Sequence, residues 1–175
     1  ERHLIRKSQP MRDWDFLFEA AGPGSTYVFS PQAHSALVEV INRLDYSRIG
    51  VHDWYVYALA RAIGLTWVIG EEPTLEYRQH GGNVQGANSG SGARDARMEK
   101  LRNGFYRNQF ILTARAAQQV GAFDAPRRIE LAQILRELEA DSQWARLRFA
   151  LRYRQIRRDR LEGIKLAAAR FLRVW

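Results

Sequence analysis

The stretch Gly22-Pro23-Gly24-Ser25-Thr26-Tyr27-Val28-Phe29-Ser30-Pro31 decides how the fold is read. Gly-Pro-Gly is a turn signal. Thr26 to Phe29, rich in β-branched and aromatic side chains, predicts a short buried strand. Ser30 followed by Pro31 predicts a helix start, the serine as N-cap and the proline in the first turn. That helix would carry Leu37, Val40, Ile41 and Leu44 on one face, at a spacing of about 3.6 residues. Downstream, a second helix is expected over residues 52–63, with Tyr55, Leu59 and Ala62 or Ile63 on one side and Gly64 as its stop. Residues 65–69 read as a second strand and 73–77 as another extended segment. Upstream, residues 1–21 read as irregular or partly helical, anchored by Trp14, Phe16, Leu17 and Phe18.

Beyond this α/β portion the character changes. Residues 81–92 hold glycines at 81, 82, 86, 90 and 92 among asparagines and serines, too little apolar surface to order a loop, so a mobile loop is predicted. From residue 93 to 175 the pattern is helical. Met98, Leu101, Phe105, Phe110 and Ile111 suggest one amphipathic helix; residues 126–139, with Ile129, Ala132, Leu135 and Leu138 in phase, suggest another; two basic helices are expected over 144–158 and 161–175. The division is therefore 1–92, a catalytic-type α/β portion, and 93–175, a helical tail.

At 175 residues with 46% apolar composition, a single packed core is affordable. Absence of cysteine excludes disulfides and thiolate chemistry. No secretory leader is visible, and the N-terminal Glu1 predicts a processed or excised piece. Net charge is +8, and most of the excess lies between Arg127 and Trp175, which calls for an anionic partner or a solvated basic face.

Two short stretches carry the chemistry. In Val51-His52-Asp53-Trp54, Asp53 falls at a helix N-terminus, where the dipole favours a carboxylate by roughly 0.3–1 kcal/mol. It reads equally as a capping aspartate or as a general base for a hydroxyl. Trp54 and Tyr55 would wall a sugar cleft or fill the core. In Tyr77-Arg78-Gln79-His80-Gly81-Gly82-Asn83, His80 ends an extended segment and opens the glycine-rich loop, as a metal ligand or a hydrogen-bonded structural histidine. Arg78 has the planar fork that suits a diphosphate, or pairs with Glu72 or Glu76. Asp13-Trp14-Asp15 has the D-x-D form of a metal–diphosphate motif, but no strand precedes it and so short a pattern arises by chance.

These stretches, in this order and spacing, resemble the C-terminal half of a family 2 glycosyltransferase, closest to bacterial rhamnosyltransferase-like members. The resemblance covers Ala21-Gly22-Pro23-Gly24-Ser25-Thr26, His52-Asp53-Trp54, Glu72-Pro73-Thr74-Leu75 and residues 77–83, under half the chain. It implies the C-terminal part of an A-type nucleotide-sugar transferase fold and inverting transfer of a sugar such as rhamnose to a glycan or lipid-linked acceptor, in bacterial polysaccharide biosynthesis. It implies Asp53 as the base, with Gly22, Gly24, Thr26, His52, Trp54, Arg78 and Asn83 around the substrates. His80 would help hold a divalent cation, Mn or Mg, and residues 81–92 would form a lid. The family's N-terminal half, with its nucleotide-binding turn and acidic pair, has no counterpart here. The chain is thus expected to supply the acceptor half only and to be inactive alone.

Two non-catalytic readings compete. Arg152, Arg154, Arg157, Arg158 and Arg160 form a basic run that would attract nucleic acid by charge, but no nucleic-acid-binding motif is present and none is expected as partner. In residues 161–175, Leu161, Ile164, Ala168, Phe171, Leu172 and Trp175 share one helical face with Lys165, Arg170 and Arg173 off it. That face suits either an anionic membrane surface or packing on the core. A cytoplasmic protein, peripheral on the inner membrane face, is the corresponding expectation for localisation.

Overall fold

The computed structural model describes residues 6–72, 91–153 and 156–175. Among the described residues seven helices are formed: α1 Pro31–Ile41, α2 His52–Ala62, α3 Ser91–Arg102, α4 Phe105–Val120, α5 Ala125–Glu139, α6 Gln143–Arg152 and α7 Arg160–Phe171. Two 3-10 turns, Asp15–Leu17 and Gly24–Thr26, precede them. Among the described residues there is no β-strand, which overturns the α/β expectation. The A-type transferase sheet is not formed among the described residues. Residues 73–77 and the loop 81–90 lie outside the described residues, whereas Ser91 and Gly92 open α3.

The two strand predictions fail for a common reason. Residues 65–69 form neither helix nor turn and alternate strictly between partly buried (Leu65, Trp67, Ile69) and exposed (Thr66, Val68), which is a strand's period of two. Tyr27 to Phe29 do the same. Composition and length suit a strand, but a sheet needs a second row of backbone donors and acceptors. Neither segment finds one among the described residues. Their aromatics meet instead, Trp67 packing edge-on against Tyr27, Phe29 and Tyr57 with ring centroids 4.9, 5.8 and 5.0 Å apart.

Helix boundaries follow local chemistry. The Ser30 hydroxyl accepts from the Ala33 amide at 3.2 Å, with Pro31 in the first turn, as predicted. Leu37 and Leu44 are buried, and Val40 and Ile41 pack on that cluster. The C-terminal end of α2 is a Schellman motif: Leu65 N–H donates to Ala60 O and Gly64 N–H to Arg61 O, with Gly64 at φ +83°. Asp124, Ser142 and Asp159 cap α5, α6 and α7 through amides of Arg127, Ala145 and Glu162.

Three tail predictions are corrected. The single helix expected through Met98 to Ile111 is two, broken at Gly104 (φ +76°). The buried stripe of α5 is Leu131, Ile134, Leu135 and Leu138, and Ile129 is exposed. Helix α6 stops at Arg152 rather than 158. The basic tail and the N-terminal portion share one core: Trp14, Phe16, Leu17 and Phe18 pack with Trp54, Phe110, Leu131, Phe149 and Trp175.

Candidate functional site

Asp53 lies in the first turn of α2, after the uncapped residue Val51. Its Oδ1 accepts the backbone N–H of Trp54 at 2.8 Å, so the carboxylate is held at the helix's positive end while remaining partly exposed. The Gly24–Thr26 turn covers this end of α2. Gly24 approaches so closely that a Cβ placed there would stand 3.0 Å from Asp53 Cβ. A side chain at Gly24 would have to push its neighbour by a few tenths of an ångström. Thr26 Oγ1 donates to Pro23 O at 2.7 Å, closing the turn, and Tyr27 Oη donates to Gly22 O at 3.0 Å. Burial, followed by the nearby Asp53 charge, pushes the Tyr27 phenol up to about 12, so it stays protonated beside the carboxylate.

The residues expected here divide. Gly22, Gly24, Thr26 and Asp53 come together around the N-terminus of α2, and His52 is exposed beside them. Trp54 is buried: its indole N–H donates to Phe16 O at 2.8 Å and its ring packs on Phe110 at 5.3 Å, so it belongs to the core. Arg78, His80 and Asn83 lie outside the described residues.

Sequence reading missed the groups that aim the helix. Buried Gln109 on α4 accepts the Gly50 amide at 2.9 Å through Oε1 and donates to Arg48 O at 3.2 Å through Nε2. This two-pronged bond fixes the chain just before Asp53. The Phe105 ring lies where a Cβ on Gly50 would collide, 2.8 Å away. No local signal reveals a bond spanning 59 positions; a glutamine amid the apolar positions of α4 was the only trace.

Asp15 of the D-x-D form faces away from any cleft. It is fully buried, within 3.2 Å of Arg158 Nη1 and Tyr57 Oη and 3.3 Å of Arg61 Nη1. Arg158 also donates to Glu19 Oε2 at 3.3 Å and Ala20 O at 2.6 Å. Buried with both terminal guanidinium nitrogens paired, it is withdrawn from the basic run that suggested nucleic acid. Among the described residues no group of three or more His, Asp or Glu side chains could hold a metal ion.

Over 120 residues the chain is 38% identical to the dTDP-rhamnosyl transferase RfbG of Shigella flexneri, a match taking in 66% of this chain and 40% of that protein. The chain thus spans well under two thirds of that relative's length. No family model matches it. No solved structure matches it either. The similarity supports a relationship between this chain and a glycosyltransferase.

Proposed function

We propose that the chain carries the acceptor-activating side of an inverting sugar transferase that uses a nucleotide-sugar, rhamnose being the sugar suggested by the relative's name. The observation that carries this reading is Asp53: a partly exposed carboxylate at a helix N-terminus, with a glycine turn packed against its Cβ and no cation paired with it among the described salt bridges. In this reading Asp53 accepts the proton of an acceptor hydroxyl. The acceptor oxygen forms its bond to the anomeric carbon as the bond from that carbon to the nucleoside diphosphate breaks on the opposite face, which inverts configuration. The diphosphate leaves with the electron pair. Gly22, Gly24 and Thr26 shape the acceptor side, and exposed His52 borders it. The acceptor is a glycan or lipid-linked glycan. Donor contacts fall to Arg78, His80 and Asn83 and to elements this chain does not supply, so it is expected to be inactive alone.

The test has two arms. Titration calorimetry of the 175-residue chain with dTDP-rhamnose, with and without Mn²⁺, should show no saturable heat; tight metal-dependent binding would sink the half-site reading. In any preparation that transfers the sugar, Asp53→Asn should lower kcat by about 10²–10⁴ while leaving donor KM unchanged. Full activity in that variant removes Asp53 as the base.

A further inference from the structure

Helix α7 turns its apolar side outward. Gly163, Leu166, Ala167 and Arg170 face the protein, while Leu161, Ile164, Ala168, Phe171 and Leu172 are exposed. At about 100° per residue these five span roughly 100° of arc, a continuous stripe. Leu161 is 60% and Leu172 69% exposed. A soluble helix normally has this pattern inverted.

Basic groups crowd the end of the stripe. Asp141, just before α6, lies within 4 Å of four guanidinium groups: Arg146 at 3.2 Å, Arg173 at 3.4 Å, Arg170 at 3.7 Å and Arg107 at 3.9 Å. One carboxylate cannot neutralise four cations. Arg107 and Arg170 also donate to Leu138 O and Ala140 O at the negative end of α5. Arg173, its side chain 72% exposed, has no such second partner among the described residues. It directly follows Leu172, its positive φ of 59° turning the chain at the end of α7. Exposed Trp144 sits three residues past Asp141. Arg160 and Lys165 are exposed along the helix, the latter paired with Glu162 at 2.9 Å.

We infer that the outer face of α7, flanked by exposed Arg160, Lys165 and Arg173, is a contact surface for an anionic lipid bilayer. The leucine, isoleucine and phenylalanine side chains enter the headgroup–acyl boundary, and these three cations meet lipid phosphates. The choice of lipid over a protein partner rests on the uneven charge: an apolar stripe bordered by surplus cations matches a surface that is apolar inside and anionic outside. No described helix is long and apolar enough to cross a membrane, so contact is lateral. The inference stands independently of sugar transfer.

The test is sedimentation of the full chain with vesicles of phosphatidylcholine alone and of phosphatidylcholine mixed with phosphatidylglycerol, at low and high salt. Anionic vesicles should be favoured by about tenfold or more, with the preference collapsing in high salt. Leu161→Ser with Leu172→Ser, both at exposed positions, should weaken binding by about tenfold or more, with an unchanged circular dichroism spectrum. Arg173→Glu, which tests the charge separately, should lower it by several-fold. Absence of binding, equal binding to neutral vesicles, or indifference to both variants overturns the inference. So does a concentration-dependent dimer that the leucine variants abolish without any vesicle binding, since the face would then join two copies of this chain.

Discussion

Asp53 and Gly24 form a pair in which the smaller residue sets the position of the larger. A Cβ at Gly24 would meet Asp53 Cβ at 3.0 Å, so Gly24→Ala must move the turn or the carboxylate by a few tenths of an ångström. The expected stability loss is about 1 kcal/mol, the low end for overpacking. Transfer should fall further than stability does, which paired melting curves and rate measurements would show. Gln109 acts from the other side of α2. Gln109→Leu leaves the Gly50 amide and Arg48 carbonyl without their partner and should cost about 1–3 kcal/mol in denaturant unfolding. The helix start that carries Asp53 and the turn at Gly22-Pro23-Gly24 were legible in sequence because helix starts and turns are local. Gln109 and Tyr27 were not, because their roles depend on which distant backbone groups the fold delivers.

Among the elements, the ion network joining the segment before α1 to the one before α7 is the firmest tie. Arg158 is buried between Asp15 and Glu19. Arg158→Met would remove one of the two cations on each buried carboxylate, leaving Arg61 on Asp15 and Arg157 on Glu19, and should destabilise by about 3 kcal/mol in urea unfolding. Adding Asp15→Asn to that variant should recover part of the loss, since one undercompensated charge is removed. Helix capping was readable at Ser30-Pro31, and the stop at Gly64 likewise, because each is written within four residues. Residues 65–69 show the limit of such reading. Their composition and length suit a strand, yet pairing is a property of a neighbour, and neither says whether a neighbour is there. The arginine run at 152–160 misled for the matching reason, since composition could not tell the buried Arg158 from the exposed Arg160.

For the molecule as a whole, alkali is the informative perturbant. Burial is the largest cause that pushes Tyr27, Tyr57 and Tyr153 each up to about 12 from 10.0. A phenol that ionises later when folded contributes stability that is complete below pH 10 and lost as pH rises through about 12. Burial pushes Tyr55 up in the same sense, and Lys7 and Arg170 down, which works oppositely. Four phenols outweigh two cations, and stability should fall between pH 10 and 12. Ultraviolet titration should then show part of the seven tyrosines ionising only together with the loss of circular dichroism. The segments 27–29 and 65–69 carry one more consequence, for behaviour in concentrated solution. Val28 is 94% and Val68 81% exposed, each in a segment of β-branched and aromatic residues with no partner strand among the described residues. Such a segment invites the same segment of another molecule, so Val68→Lys should raise the concentration at which the protein begins to associate, as light scattering would show.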